Sequence, residues 1–404
     1  MEKKVGLLYS EDFITYNFGK THPLKPIRLE LTYKLFKELG LMSHPKIEII
    51  APEMATEQDL MMLHSEEYIK AVKKLSEDPA NPTVKGWKYG LGPGDNPIFK
   101  GMYEASALIA GASIKAAEMI MNQSENYEVI FNPAGGLHHA HKDQASGFCI
   151  FNDVALAIKK MKIIKPDIRI TYLDIDAHHG DGVQWFYYND PNVLTISFHE
   201  SGRYLFPGTG DVNEIGDGDG KYFSINFPLL PGFYDDLYLN LLRTIIPEIL
   251  NIYKPDVLVT QLGVDAYNMD PLTQLGLSLS GYREIAKEIH QYSKKYCKNK
   301  WLAVGGGGYL VTVVPRAWSI FLAEMLDVKL NNDLPTEWKN ECQKNAADEI
   351  APTTMFDKND KLVLELFSHT ELKKRMMDYY NMLMKVSREK YIPNLKNAVE
   401  KLNF

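Results

Sequence analysis

Residues 171–182, with the sequence TYLDIDAHHGDG, constrain the chain more than any other stretch. An apolar run is followed at once by five ionisable side chains, namely Asp174, Asp176, His178, His179 and Asp181. Because an isolated charge is costly to bury, these groups must pair with each other, with water or with a cation. A strand that ends in Asp-x-His can direct a carboxylate and an imidazole at one metal ion. A solvated, acidic helix N-terminus is the alternative, and the doubled histidine after a strand disfavours it.

Length and composition narrow the class of protein. The 404 residues allow one large α/β domain with an appendage, or two domains. The formal net charge of −7 disfavours a protein that coats nucleic acid. Cys149, Cys297 and Cys342 lack CxxC spacing, which predicts a reducing compartment without disulfides or a thiolate zinc cluster. We find neither an apolar leader core nor a membrane-spanning run, so we expect a cytoplasmic protein without membrane or nucleic-acid partners.

Apolar strands alternate with amphipathic helices along the first 330 residues. This pattern predicts an α/β fold of three α-β-α layers, in which a central, mostly parallel sheet is covered on both faces. One strand is expected to span residues 255–265 and to end at Asp265. Ligands bind at the carboxyl ends of the strands in such sheets. The side chains at and beyond these strand ends are therefore predicted to line one cleft. They are His138, His139, Asp174, Asp176, His178, Asp265 and Tyr309.

The character of the sequence changes after about residue 330. Residues 331–361 are polar, and the remainder is charged with a helical pattern. We therefore divide the chain into a domain of residues 1–330 and a helical C-terminal extension of residues 331–404. The extension packs on the same chain, mediates self-association or contacts a partner, and packing on the same chain is the expected case.

Asp176, His178 and Asp265 offer two carboxylates and one imidazole. Zinc accepts this donor set, as do Fe²⁺, Co²⁺ and Mn²⁺. Three protein ligands leave room for water and a substrate carbonyl. Taken alone, Asp265 is equally well explained as a helix cap, and only its convergence with the other two at one sheet edge favours a ligand role.

His138 and His139 follow a glycine pair in a loop. Each can pair with Asp174 or Asp181, which fixes the tautomer and raises the basicity of the imidazole. Two such pairs beside a metal-bound water supply a general base and a general acid. Most adjacent histidines are surface or core residues, so the pair is informative only in this context.

Tyr309 follows four glycines, and its phenol is placed to donate to a developing oxyanion. A phosphate-binding loop is the rival interpretation, but the lysine of that motif is absent. We predict that two aromatic residues, Phe148 and Phe206, form the walls of a narrow apolar channel. Each stands beside a turn residue, Gly147 or Pro207, in an otherwise polar loop. A lone Phe is more usually a core residue.

Seven segments, in chain order, together resemble the zinc-dependent histone deacetylase family of the arginase–deacetylase superfamily. They are THPLKPIR, GDNPIF, NPAGGLHHAHKDQASGFCIFND, YLDIDAHHGDGVQ, YLFPGTGD, QLGVDAYNMDPLTQLGLS and VGGGGYLVTVVPRAW. Among bacterial members, the chain is most similar to the acetoin-utilisation deacetylases. The resemblance covers about the first four-fifths of the chain and implies hydrolysis of the acetyl amide of N6-acetyl-lysine. It also implies a metabolic enzyme as substrate, such as an acyl-CoA synthetase, with Zn²⁺ and a structural K⁺ as cofactors.

The resemblance also assigns residue roles. It implies metal ligation by Asp176, His178 and Asp265. The implied catalytic residues are the His138–His139 pair with His139 as base, their carboxylate partners Asp174 and Asp181, and Tyr309 as the carbonyl-binding group. Substrate contacts are implied for Asp95, Gly147, Phe148, Phe206, Leu272 and Arg28, of which Arg28 lines a cavity behind the metal. The implied potassium site consists of Asp174, Asp176, His178, Ser197 and Phe198.

Two positions depart from the family pattern. Leu205 stands where many relatives carry a second channel aromatic, which predicts a wider mouth, and His141 replaces a frequent lysine. Three other functions remain open from the residues alone. They are deacetylation of a small amine such as an acetylpolyamine, a two-metal ureohydrolase, and a non-catalytic acetyl-lysine binder. The single Asp-x-His step and the role of Tyr309 disfavour the ureohydrolase, and the intact set of catalytic groups disfavours the binder.

Overall fold

The computed structural model describes residues 3–122, 124–346, 349, 351–357 and 370–402. Within these residues, eight strands form one sheet in the order β2-β1-β3-β8-β7-β4-β5-β6, and every neighbouring pair is parallel. The strands are β1 (Lys4–Leu8), β2 (Ile47–Ile50), β3 (Tyr127–Asn132), β4 (Ile170–Asp174), β5 (Val193–Glu200), β6 (Ser224–Leu229), β7 (Val257–Gln261) and β8 (Trp301–Val304).

Helices flank this sheet, which confirms the predicted layered α/β fold. They are α1 (Ile27–Glu38), α2 (Glu57–Leu60), α3 (Glu66–Glu77), α4 (Met102–Met121), α5 (Asp153–Ile164), α6 (Asp181–Phe186), α7 (Asp235–Tyr253), α8 (Leu279–Tyr296), α9 (Val314–Met325), α10 (Thr336–Asn345), α11 (Thr370–Val386) and α12 (Ile392–Lys401). A π-helical turn, Ser387–Tyr391, joins α11 to α12. Four short 3₁₀ turns span Glu11–Thr15, Leu41–Ser43, Gly86–Tyr89 and Gly218–Gly220.

The central strands are buried along their whole length. Every residue of β3 through β8 is buried, because helices pack on both faces of the sheet. Strand β4 lies between β7 and β5, so that Asp174 is in register with Gln261 on one side and Ser197 on the other. Polar side chains that follow β4 and β7 therefore emerge side by side.

Two details differ from the sequence-based expectation. Strand β7 ends at Gln261 instead of continuing to Asp265, and the Gln261 side chain accepts the Gly263 N–H just beyond that end. Asp265 consequently lies in a loop beyond the strand. Helix α10 forms within the polar segment after residue 331, where its Trp338 indole is buried and donates to the Leu31 carbonyl at 2.8 Å.

The described part of the C-terminal extension packs on the same chain. Helix α10 lies against α1, and α11 and α12 lie against α7, with Leu383 and Leu395 fully buried. The division of the chain at residue 331 stays a prediction. Among the described residues, no helix combines the length and the apolar character needed to cross a membrane.

Candidate active site

Asp176, His178 and Asp265 meet where β4 and β7 end. Their potential ligand atoms all lie within 4.8 Å of one another, and all three side chains are buried. The Nδ1 atom of His178 is 2.8 Å from Oδ2 of Asp265 and 3.2 Å from Oδ1 of Asp176. Burial and the charge of Asp176 raise the pKa of Asp265 to about 6. A divalent cation among these atoms would offset the repulsion between the two carboxylates, so the donor set fits a metal ion.

Backbone and amide donors fix the two carboxylates. Oδ2 of Asp176 accepts from Nε2 of Gln261 at 2.9 Å and from the Gly307 N–H at 2.7 Å. Oδ1 of Asp265 accepts from the Ala177 N–H at 2.8 Å. A Cβ at Gly307 would lie 2.2 Å from Oδ2 of Asp265, so only glycine fits there. Gln261 is a supporting residue that the sequence analysis did not identify.

The two adjacent histidines each face a different carboxylate. Nδ1 of His138 is 2.8 Å from Oδ2 of Asp174, and Nδ1 of His139 is 2.7 Å from Oδ1 of Asp181. The two imidazole rings are 4.0 Å apart, centre to centre. Since each Nδ1 is engaged by a carboxylate, each Nε2 remains for a substrate or a water molecule.

The two imidazoles differ in basicity. Burial lowers the pKa of His138, but Asp174 and Asp176 outweigh it and raise that pKa to about 9. Burial and the neighbouring charge of His138 lower the pKa of His139 to about 4. In the absence of a metal ion, His138 is therefore the more basic and His139 the less basic imidazole of the pair.

The N-terminus of α5 holds the histidine loop in place. The Asp153 carboxylate accepts from the backbone N–H of Leu137 at 2.7 Å and of Gly136 at 3.1 Å, and from the Ser113 hydroxyl at 2.5 Å. The Asn152 amide donates to the carbonyl of His138 at 3.1 Å. Sequence reasoning missed both supporting residues, although an Asn-Asp pair that opens a helix is a recognisable capping signal.

Aromatic rings surround the three-residue donor set. The ring of His178 lies 6.2 Å from that of Tyr309 and 6.4 Å from that of Phe206, while Phe148 lies 5.8 Å from Tyr309. A Cβ at Gly147 would come within 2.5 Å of the His139 ring and 2.7 Å of the Phe206 ring. A narrow cavity here is lined by Leu24, Arg28, Gly136, Leu137, His138, His139, Gly147, Phe148, Cys149, Asp176, Gly306, Gly307 and Tyr309.

Asp95 and Leu272, two of the residues with implied substrate contacts, lie on loops that we call the rim of the cavity. The side chain of Asp95 is exposed, and its carbonyl faces Nε2 of His22 at 3.2 Å. The His22 ring in turn packs 4.4 Å from Phe148. Leu272 is half-buried, and its N–H donates to Asp270, the same carboxylate that accepts the Tyr309 N–H at 2.9 Å. His22 and Asp270 thus connect the rim to the cavity, and the sequence analysis named neither.

Arg28 is buried beneath the glycine segment. Its Nη1 atom donates to the carbonyl of Gly306 at 2.7 Å and of Gly308 at 3.2 Å, so the guanidinium supports the chain just before Tyr309. Ser197 and Phe198 are buried in β5, beside β4. The Ser197 hydroxyl lies 2.8 Å from Nδ1 of His199.

The two departures from the family pattern occupy different surroundings. Leu205 is half-buried and packs against the hydrophobic core, while Phe206 is 41% exposed and packs against His139 with ring centres 5.1 Å apart. His141 places Nε2 3.3 Å from Oδ2 of Asp181. The carboxylate that faces His139 therefore has a second imidazole on its other oxygen.

The fold is of the α/β class and the donor set could hold a metal ion. A comparison with known families identifies the protein further. Residues 22–325 match the histone deacetylase domain. The chain therefore belongs to the histone deacetylase family, within the arginase–deacetylase superfamily, and is a deacetylase-type hydrolase.

Individual relatives agree with this assignment. The chain is 42% identical to the acetoin utilization protein AcuC of Bacillus subtilis, an alignment that covers 83% of this chain and 86% of AcuC. It is 37% identical to histone deacetylase B of Dictyostelium discoideum, over 82% of this chain and 76% of that protein. A crystal structure of a histone deacetylase homologue from Aquifex aeolicus superposes with a TM-score of 0.79 at 30% identity, over 90% of this chain and 99% of the homologue.

Proposed function

We propose that this protein is a zinc-dependent lysine deacetylase of the acetoin-utilisation type, which hydrolyses the acetyl amide of N6-acetyl-lysine. One observation carries the proposal: Asp176, His178 and Asp265 converge beside two His–Asp pairs at an aromatic-walled cavity. Such a cavity suits a thin apolar stem with an amide at its tip. The similarity to AcuC supports a metabolic enzyme, such as an acyl-CoA synthetase, as the substrate. A cytoplasmic location accords with three free cysteines.

Zinc held by Asp176, His178 and Asp265 would lower the pKa of a bound water to roughly 7 and polarise the acetyl carbonyl. The residues of the chain account for the proton transfers. His139, which is neutral at pH 7, accepts a proton from the attacking water at Nε2. The Tyr309 hydroxyl donates a hydrogen bond to the oxyanion of the tetrahedral species. The His138 imidazolium then gives its proton to the departing lysine amine as the C–N bond breaks.

The metal itself is the least specific part of the proposal. Two carboxylates and one imidazole also suit Fe²⁺ and Co²⁺. Activity restored to metal-stripped protein by each ion in turn, at matched free concentration, would rank the three. We expect Zn²⁺ to restore turnover, and restoration by Fe²⁺ or Co²⁺ alone would replace zinc in the proposal.

A structural potassium ion is proposed at Asp174, Asp176, His178, Ser197 and Phe198. The support is the register of Asp174 with Ser197, which places these two residues side by side on β4 and β5. K⁺ at 100 mM, roughly a physiological ionic strength, should raise the melting temperature relative to the same concentration of choline. Equal melting temperatures in the two salts would remove the potassium site.

The proposed substrate is tested by comparing two acetylated amines. Purified protein with its metal is assayed on an acetyl-lysine peptide and on N-acetylputrescine, with release of acetate as the readout. The exposed carboxylate of Asp95 suits either the amides of a peptide backbone or a secondary ammonium. We expect higher kcat/KM on the peptide. Preference for the acetylpolyamine would replace the substrate class, and peptide binding without turnover would indicate a non-catalytic binder.

A further inference from the structure

A surface loop lies beside the cavity, and one of its rings packs on His139, a residue that lines the cavity. Residues 201–214 follow β5, and their Phe206 ring lies 5.1 Å from His139 and 6.4 Å from His178. Phe206 is 41% exposed, so packing around its own ring does not fully fix its place. The position of the loop therefore sets how closely the Phe206 ring approaches His139.

The second half of the loop is tied inward to the core. The Thr209 hydroxyl lies 2.8 Å from Nδ1 of His179, and the Gly210 carbonyl lies 3.0 Å from Nε2 of His199. Glu214 accepts the Gly210 N–H at 2.9 Å and receives the Gln184 amide at 2.7 Å. These contacts connect the loop to the segment that also carries His178 and Asp181.

The same half of the loop is tied outward to the C-terminal extension. The Lys390 ammonium donates to the Val212 carbonyl at 3.0 Å and to Oδ1 of Asn213 at 2.7 Å. The Tyr391 hydroxyl lies 3.2 Å from the same Val212 carbonyl and 2.8 Å from the Asn226 carbonyl of β6. Two neighbouring side chains of the extension therefore converge on one peptide group of the loop.

The two side chains that reach the Val212 carbonyl come from a π-helical turn. In an α-helix of 3.6 residues per turn, consecutive side chains point about 100° apart. Lys390 and Tyr391 belong to the π-helical turn Ser387–Tyr391, and both reach the Val212 carbonyl. Single π turns occur frequently at functional sites.

The extension is attached to the rest of the protein independently of the loop. Leu383 and Leu395 are fully buried, and the Tyr379 hydroxyl donates to the Pro228 carbonyl of β6 at 2.7 Å. An open cavity of about 510 Å³ lies between α11 and the loop, and its lining includes Arg375, Arg203 and Val212. Among the described residues, the hydrogen bonds from the extension to the loop come from Lys390 and Tyr391.

We propose that Lys390 and Tyr391 are positioning residues, which hold the Phe206 loop in place and thereby set the width of the substrate channel. The inference rests on the proposed function, because it concerns how firmly an acetyl-lysine stem is held. The lysine stem would contact the Phe206 ring equally in the bound substrate and in the transition state. Loss of such uniform binding raises KM and leaves kcat unchanged.

The test compares the double variant Lys390→Met/Tyr391→Phe with Arg388→Met, a change at an exposed cation in the same π turn. Lys390→Arg, which keeps a donor, is the conservative variant. Kinetics on an acetyl-lysine peptide are combined with hydrogen exchange of the full-length, metal-loaded protein. We expect the double variant to raise KM about 3- to 10-fold with kcat within about twofold. Exchange should become faster in residues 203–213 only, and Arg388→Met and Lys390→Arg should resemble the unmodified protein.

The outcomes separate this inference from the proposed function. Unchanged KM with unchanged exchange in the loop overturns the positioning role, as does a fall in kcat accompanied by faster exchange throughout the chain. If the unmodified protein shows no turnover, the proposed function fails. Loop exchange then decides the anchoring by itself: faster exchange in residues 203–213 supports it, and unchanged exchange overturns it.

Discussion

The hydroxyl of Tyr172 donates a 2.5 Å hydrogen bond to Oδ2 of Asp174, the same oxygen that faces His138. Both side chains are fully buried, so this hydrogen bond is not in competition with water. It draws negative charge away from the carboxylate and so limits how strongly Asp174 raises the pKa of His138.

Replacement of Tyr172 by Phe tests this relationship. Without the hydroxyl, Asp174 interacts more strongly with His138, which then holds its proton more tightly and donates it less readily to the leaving amine. We expect kcat to fall about 3- to 10-fold, and the alkaline limb of the pH–rate profile to move to higher pH. An unchanged profile in Tyr172→Phe would remove the hydroxyl from the account.

Asp153 provides a second prediction, about positioning of the histidine pair. Its carboxylate accepts from three donors, two of them backbone N–H groups of the loop before His138. In Asp153→Asn an amide NH₂ would face one of these donors, leaving buried groups unpaired at a cost of about 1–3 kcal/mol. We expect lower stability to urea and a kcat reduced at least about tenfold. Asp143→Asn, an exposed carboxylate in the same loop, is the control and should change neither quantity.

Tyr309 provides a third prediction, about the hydrogen bond that its phenol donates to the oxyanion. The phenol has its pKa raised well above the ordinary value by burial, so it remains a hydrogen-bond donor throughout the neutral range. Tyr309→Phe removes that donor without removing a proposed metal ligand. Loss of one oxyanion donor typically costs about 10²- to 10³-fold in kcat. Steady-state kinetics and metal analysis should show such a loss at unchanged metal content, and full activity would contradict the assigned role.

The buried imidazole of His64 should make the free energy of unfolding depend on pH. It is buried, its Nδ1 lies 2.9 Å from the His141 carbonyl, and its Nε2 accepts the Asn152 N–H at 3.0 Å, so both nitrogens are used by the neutral ring. Burial lowers its pKa to about 4. The unfolded chain takes up a proton near pH 6.5. The stability that comes from burying His64 as a neutral ring is therefore fully present above pH 6.5. It is lost as the pH falls toward 4, because the unfolded chain then binds a proton that the folded chain does not.

The lost contribution corresponds to about 3 kcal/mol for a pKa difference of about 2.5. In His64→Gln the free energy of unfolding should fall less steeply between pH 6.5 and pH 4 than in the unmodified protein. Urea titrations across this range measure the difference. Parallel curves for the two proteins would show that His64 is not buried as a neutral ring.

The sequence predicted the end of β4 and the polar residues that follow it because these signals are local. An apolar strand followed by DIDAHHGD specifies both a buried element and the polar cluster at its end. The supporting contacts are not local: Gln261 reaches Asp176 across 85 positions, and Asp270 reaches Tyr309 across 39. Only tertiary packing decides such pairs. Tyr172 was the exception that a period of two could have revealed, since it shares a strand face with Asp174.

The C-terminal extension shows the same limit. Its helical pattern was readable, but its contact with the Phe206 loop depends on Lys390 and Tyr391 meeting a segment almost 180 positions earlier. No periodicity in the chain records that contact. The end of β7 was placed four residues too late, because the apolar sequence continues past Gln261, where the strand ends.

The central claim is that Asp176, His178 and Asp265 hold one divalent cation that deacetylation requires. Its most direct test is metal analysis of purified protein beside the variants His178→Ala and His44→Ala, with circular dichroism to verify the fold. We expect one equivalent of metal in the unmodified protein and in His44→Ala. We expect none in His178→Ala, with acetyl-lysine turnover lost in parallel. A full equivalent of metal retained by folded His178→Ala, or turnover by metal-free protein, would contradict it.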